Sequence, residues 1–599
     1  MYNWLVNLLK QFPKEQPKYF FNHDVLTQGD LFEYGFNKKD GINLNEYNLK
    51  AWVYGHYHSN HIRKHGASGV YSISTGSIAK GGIDHAPSSF RVINLDEEGD
   101  FSTELRYSST KNKISIVSPK SGMTPVEDNK IKVSVNAYHS ASPTVSIRYS
   151  LHPVEYSINW HDRVDDAGWN NMIAKTDWNW NAMFEIPNDG YGKKYKIIAE
   201  ATLKNGHIIR TQEVFELRRN ENLIALDNAW ENLAKNAQHT GSDTENFEGN
   251  LELEWLQSTG ANIFMCSPVY SNGKVFIATT DDNNYKKCFI IAYDARTGKE
   301  QWRYSVKSSV KNSITISNGV LIAADSEGIT YGLNANSGEL IWEKDLDIHE
   351  MPSFVSGITS ENGVVYTGWG NGFYALNSKT GASIWRNTSW HGGEGSTPTY
   401  TVGNGVVVAS AHWRGLYGHD VKTGKLLWER KDEGLRFRDG TATIINDIIY
   451  IAASNSIFLL DTRTGETIKS IKTEYNHAVS SAPVITDKLI IIGTADRGVV
   501  AFDKITLEEK WNFETGVSLF YTSPYTQTSE RTVEPTLIEM GDVILFGASD
   551  GYFYVLNKND GELKFKQEFG APIFSSVALS GNAVFIADFS GNVYAFSSK

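Results

Sequence analysis

The amino-acid sequence predicts a mainly β protein. It reads as a partial α/β segment, an immunoglobulin- or fibronectin-like β-sandwich and, over residues 251–599, an eight-bladed β-propeller. Three observations predict the propeller. Turn glycines recur at Gly298, Gly338, Gly381, Gly424 and Gly465, a period of 40 to 43 residues that is the size of one four-stranded blade. Tryptophan returns in the last strand of the unit at Trp255, Trp302, Trp342, Trp385, Trp428 and Trp511. The carboxy terminus supplies three strands, ending at Val593-Tyr-Ala-Phe596, and Leu251-Glu-Leu-Glu-Trp255 supplies one strand without a unit of its own. Joining them completes a blade, closes the ring and removes the open sheet edges.

Residues 1–111 carry the chemistry. Trp4-Leu-Val-Asn-Leu-Leu9 reads as a short helix, and Lys18-Tyr-Phe-Phe-Asn-His23 as a buried strand that ends in histidine. Leu49-Lys-Ala-Trp-Val-Tyr-Gly-His-Tyr-His58 is a second apolar strand, and the alternation at its end puts His56 and His58 on one side. Gly55 lets the backbone turn close to a metal. Val70-Tyr-Ser-Ile-Ser-Thr-Gly-Ser77 and Ser89-Phe-Arg-Val-Ile-Asn-Leu95 follow as sheet strands. His61, His65 and His85 are read as exposed loop histidines.

This order of elements resembles the second half of a calcineurin-like metallophosphoesterase. The resemblance implies that His23 and His56 ligate one metal of a dinuclear centre and His58 the other. Mn, Fe or Zn would form the divalent pair. A metal-bound hydroxide would then attack a phosphomonoester or phosphodiester. The family's Asp-x-His, Gly-Asp-x-x-Asp and Gly-Asn-His-Asp/Glu motifs should precede Trp4, and only three residues stand there. The expectation is a hydrolase truncated at its amino terminus and inactive as this chain, with no catalytic residue assigned. Its alternative is a non-catalytic propeller scaffold that binds a protein or a glycan.

Residues 112–220 alternate like half-buried strands, for example in Lys132-Val-Ser-Val and Tyr195-Lys-Ile-Ile-Ala-Glu-Ala, and suggest the sandwich. Trp160, Trp169, Trp178 and Trp180 suit either sugar stacking or packing in a core or domain interface. Residues 221–250 read as a partly helical linker lying on the propeller.

Within residues 251–599 each unit reads as four short strands, with Asn-Gly turns beginning at Asn272, Asn318, Asn362 and Asn404. The seventh unit carries an insertion around Tyr521 to Thr532. The repeated tryptophan is an inter-blade core residue. The pattern resembles the pyrroloquinoline-quinone-like repeat propellers, some of which are dehydrogenases holding quinone and calcium beside a vicinal disulfide. Here the two cysteines, Cys266 and Cys288, are not adjacent, so no pyrroloquinoline quinone is expected.

In such blades the loop between the second and third strands opens on the same face as the loop leaving the fourth. That sorting gathers Trp369, Trp390, His391, His412, Trp413, Arg414, Arg436, Arg438 and His477 on one face, around Gly392-Gly-Glu-Gly395. Aromatics beside arginines suit an anionic, phosphate-ester or glycan ligand, or a protein. The balance of 57 basic against 69 acidic residues, a net −12, comes without a basic stripe and excludes a nucleic-acid surface. No apolar run approaches the roughly 20 residues of a membrane span. The first ten residues are amphipathic, unlike a signal peptide. A periplasmic or secreted location follows by analogy.

Overall fold

Short apolar strands joined by tight turns build the carboxy-terminal ring. The computed structural model describes residues 2–25, 27–28, 30–34, 41–120, 129–154, 168–186, 191–217, 224–247, 249–347, 356–369, 372–389, 397–411, 415–524 and 530–598. Among them, eight sheets of four antiparallel strands follow one another as blades, and Ser242–Asp243 adds a fifth, parallel strand to blade 7. Blades 1 to 7 occupy 269–305, 315–345, 359–387, 401–430, 443–472, 484–513 and 538–568. Blade 8 is made from both ends of the ring: Leu251–Ser258 pairs antiparallel with Asn592–Ser598, matching Leu253 to Phe596 and Trp255 to Ala595. The hairpin turn at Asn272 and Gly273 has φ of 48° and 76°, the two-residue type whose twist matches its flanking strands.

A repeated contact joins the blades. The indole Nε1–H of Trp255 donates to the carbonyl of Ala295 at 2.9 Å, and Trp302, Trp342, Trp385, Trp428 and Trp511 repeat this contact on the following blade at 2.9–3.2 Å. Each ring lies against the turn glycine of that blade. A Cβ on Gly298 would stand 2.6 Å from Trp255, and one on Gly424 would stand 2.4 Å from Trp385. Glycine is therefore required twice over at Gly424, by its φ of 68° and by the indole against it. Between blades 5 and 6 both partners change together. Lys469 replaces the tryptophan, Leu507 replaces the glycine at φ 64°, and the Lys469 ammonium donates to the Ile505 carbonyl instead.

Ahead of the ring stand two smaller units. In the first, the helix Tyr2–Leu9 accompanies a sheet in which Lys18–Phe21 and Leu49–Tyr54 run parallel, Leu49–Tyr54 and Tyr71–Ser74 run parallel, and His61–Lys64 closes the edge antiparallel. The hairpin of Ser89–Leu95 and Phe101–Tyr107 follows. In the second, two four-stranded antiparallel sheets share a core that includes Ile116, Val133, Ile147, Ile197 and Phe215. Trp178 belongs to neither a sugar platform nor an open face. It is fully buried, stacks on Tyr138 at 4.2 Å and meets Phe520 and Phe589 of the ring. Trp160 lies outside the described residues.

The linker differs from expectation. Residues 224–247 contain no helix. They run along the innermost strands, where Ile316 N donates to Glu231 O, Val402 N to Ala237 O, Ile444 N to Gln238 O and Glu539 N to Gly241 O at 2.7–3.0 Å. The inner strands leave backbone groups unpaired around the channel, and an extended linker satisfies them where a helix would not.

Candidate functional site

The end of the ring formed by the blade-to-blade connections and the second-to-third-strand loops is its mouth. The amino-terminal unit sits on it. The connection 306–314 sends Lys311 to the carbonyl of Asn60 and to Asp282 at 3.1 Å. From the loop before the third strand of blade 1, the Tyr285 hydroxyl lies 2.7 Å from His61 Nδ1, and Asn283 Oδ1 accepts Leu105 N at 2.6 Å. The connection 514–537 contributes the Leu519 carbonyl, which accepts Thr110 Oγ1 at 2.6 Å. Aromatic packing of Tyr107, Phe520, Phe574 and Phe589 fills the space between the units.

At the centre lies His85, which has no exposure to solvent. Its Nδ1 is 2.5 Å from Glu534 Oε1 and its Nε2 is 3.2 Å from Asp439 Oδ1. Burial opposes charging the imidazole, but the two carboxylates outweigh it and push its pKa up to about 9. Burial likewise opposes charge on Asp439. Its hydrogen bond from His85 and the neighbouring Arg436 and Arg438 prevail and hold its pKa down to about 2. Arg438 is buried and donates to the Ile83 carbonyl.

The reading of His61, His65 and His85 as exposed loop residues is corrected, since all three are buried. His61 opens the edge strand and meets Tyr285 of the ring, His65 packs inside the amino-terminal unit against Phe32, and His85 sits between the two units, which a chain read one segment at a time does not reveal. His65 Nε2 lies 2.9 Å from Ser72 Oγ, and burial, then Lys311, lowers the pKa of His61 well below its ordinary value.

Of the face candidates, Arg436, Arg438 and His477 fall within the described residues. Trp390, His391, His412, Trp413 and Arg414 lie outside them, as does the side chain of Trp369. His477 is buried, its Nε2 3.0 Å from Thr473 Oγ1, and burial brings its pKa down to about 4. Beside it opens a cleft of about 460 Å³ lined by Arg436, Ser454, Asn455, Tyr475, Asn476 and Asp496. Sequence reasoning missed Asp439, Glu534 and Lys311. The signals pointing to them were the long connection before blade 7 and the Gly81-Gly82 pair.

The other predicted site lies in the amino-terminal unit. His23 and His56 are exposed, their rings in edge contact at 5.0 Å, and His58 is half-buried. Burial, then His23 and His56, lowers the pKa of His58. Among the described residues no three His, Cys, Asp or Glu side chains stand close enough to hold a metal ion.

A closed ring of blades locked by indole–glycine contacts defines a repeat propeller. The chain belongs to the pyrroloquinoline-quinone-like repeat family whose model is described as outer membrane protein assembly factor BamB, which matches residues 229–471 and 436–599. It is similar to outer membrane protein assembly factor BamB of Burkholderia pseudomallei, with 24% identity over 41% of this chain and 65% of that protein, just under two thirds of its length. The Yersinia pestis factor of the same name is 23% identical over 57% of this chain and 88% of its own. Quinohemoprotein alcohol dehydrogenase of Comamonas testosteroni is 22% identical over 44% of this chain and 41% of its own. The solved structure of that dehydrogenase covers 62% of this chain at a TM-score of 0.50 and 13% identity, a likeness of fold alone.

These findings overturn the phosphoesterase reading. The family match covers most of the linker and the propeller and points to BamB-type proteins, not to a hydrolase. The short run Gly55-His56-Tyr57-His58 carried that expectation, and a strand ending in histidines forms for reasons of sheet packing as readily as for metal binding.

Proposed function

We propose that this chain is a non-catalytic propeller scaffold that binds protein partners in outer membrane protein assembly, in the periplasm or on the inner side of the outer membrane. One observation carries the reading: the match to the BamB family spans the whole ring, and relatives of that name align with up to 57% of the chain. The arrangement at the mouth supports it over the dehydrogenase-like relatives. Cys266 and Cys288 are separately buried, and His85, Arg438 and the backbone of Ile83 fill the centre of the mouth. These residues do not fit a quinone, and we assign none. We read residues 112–217 as an immunoglobulin- or fibronectin-like sandwich that braces the amino-terminal unit against blades 7 and 8.

The experiment is a titration of the purified chain into the detergent-solubilised outer membrane assembly machinery of its source organism, followed by interferometry. Saturable binding is the expected result. Absence of binding, together with dye-linked alcohol oxidation after addition of quinone and calcium, would refute the reading in favour of the dehydrogenases.

A further inference from the structure

The loop between Tyr71–Ser74 and Ser89–Leu95 is buried from residue 81 onward. We propose that residues 80–88 are a plug seated in the propeller mouth by Tyr521, Thr522, Pro524 and Glu534 of the connection before blade 7, so that the mouth stays shut until this loop is displaced. The inference concerns how the mouth is closed, whatever the scaffold binds.

Three independent features hold the loop. The first is charge. Glu534 has no exposure to solvent, and His85 is the basic side chain in contact with it among the described residues. The other contacts of Glu534 are neutral: Ser480 N and Thr522 Oγ1, each at 3.0 Å. Glu534 is a buried carboxylate whose cation the loop supplies, so it stays both buried and paired only while the loop is seated. His85 also ties the connection entering blade 5, through Asp439, to the one entering blade 7, two blades further on.

The second feature is backbone pairing. Gly81 forms a parallel bridge with Pro524, Ser88 N donates to Tyr521 O at 2.7 Å, and Tyr521 N donates to Ser88 Oγ at 3.3 Å. The loop is itself a compact turn, with His85 N bonded to Gly82 O at 2.9 Å and Gly82 N to Ala86 O at 2.7 Å. The third is close approach. A Cβ on Gly81 would stand 2.0 Å from the Thr522 carbonyl oxygen, a separation real Cβ atoms do not show. The partner of all three is the extra length between Phe513 and Ile538, where the connection from blade 1 to blade 2 needs only 306–314. Tyr521, Thr522, Pro524 and Glu534 of that extra length meet the loop, while Arg531, Thr532 and Val533 bond to blades 6 and 7.

Hydrogen exchange of the full chain tests the plug. Gly81→Ala drives the loop from the Thr522 carbonyl without altering a charge. The amides of Gly82, His85 and Ser88 should then exchange about 100-fold faster, while the second strands of blades 2 and 5, Val320–Ala324 and Ile448–Ala453, keep their protection. Unchanged loop protection overturns the proposal. Loss of strand protection in step with the loop also overturns it, because the loop would then be part of the ring's core.

A second arm uses the unaltered protein, so it does not depend on a variant folding. Raising the pH from about 7 to about 10 takes the proton from His85, whose charged surroundings are Glu534 and Asp439, with Arg436 and Arg438 on Asp439 and Asp84 on its own loop. Loop exchange should rise beyond the intrinsic base-catalysed increase seen for those two blade strands. A rise no greater than theirs contradicts the plug.

Discussion

Replacing Gly424 by alanine should loosen one joint of the ring by an amount that the geometry sets. The residue holds φ of 68°, where an alanine costs about 1 kcal/mol over glycine. Its new Cβ would meet Trp385 Cε3 at 2.4 Å, well inside any real contact distance. Backbone fixes Gly424, so the indole must leave. Trp385 is 9% exposed and donates to Val421 O at 2.9 Å. Loss of that packing and hydrogen bond costs about 3 kcal/mol, the low end for truncating a core tryptophan. The expected total is about 4 kcal/mol. In a Trp385→Ala background the clash is gone, so Gly424→Ala should cost about 1 kcal/mol, a coupling of about 3 kcal/mol. Because the chain is multidomain, the assay is native-state hydrogen exchange of Gly372–Asn377 and Gly415–Asp420 rather than a global melt. Equal costs of Gly424→Ala in both backgrounds would refute the reasoning.

Other outcomes follow from the same geometry. Lys469→Trp should destabilise the junction of blades 5 and 6, because Leu507 occupies the place of the glycine, and adding Leu507→Gly should restore stability; thermal unfolding of the single and double variants checks this. Asn136→Ala removes the amide that donates to Phe569 O at 2.7 Å and should cost about 1 kcal/mol at the seam of sandwich and ring, measured as faster exchange of Phe569-neighbouring amides. Burial brings the pKa of both His239 and His477 down to about 4, so the unfolded chain binds protons that these sites refuse. Their stabilisation is complete above pH 6.5 and is lost as pH falls toward 4, by about 3 kcal/mol each at most. Asp325 and Asp588, raised to about 6 by burial, act in the opposite direction, gaining as pH falls. The test is therefore His477→Gln, which should flatten the decline in stability between pH 6.5 and 4; an unchanged slope would contradict it.

The ring was legible because its determinants are local and repeated. A turn glycine and a strand tryptophan recur at fixed offsets, and the structure pairs each tryptophan with the glycine of the following blade. Even the exception is written locally, since Lys469 and Leu507 depart from the pattern together. The mouth was half legible. The blade topology predicted which loops share a face, and the insertion before blade 7 was visible as extra length. What that length holds was not, because the contact of His85 with Glu534 spans 449 positions of sequence and follows from docking between units. The amino-terminal histidines misled for the converse reason. A four-residue run at a strand end is compatible with a metal centre, and only the positions of the other ligands decide whether one exists.

The central claim is that the propeller is a protein-binding scaffold, and photo-crosslinking in the source organism tests it most directly. A photoreactive residue would replace, one at a time, Ile384, Leu427 and Ile505, which are 50%, 50% and 81% exposed on the ring. The account predicts discrete adducts from ring positions with components of the outer membrane assembly machinery, identified by mass. No adduct with any such component from any ring position would contradict it.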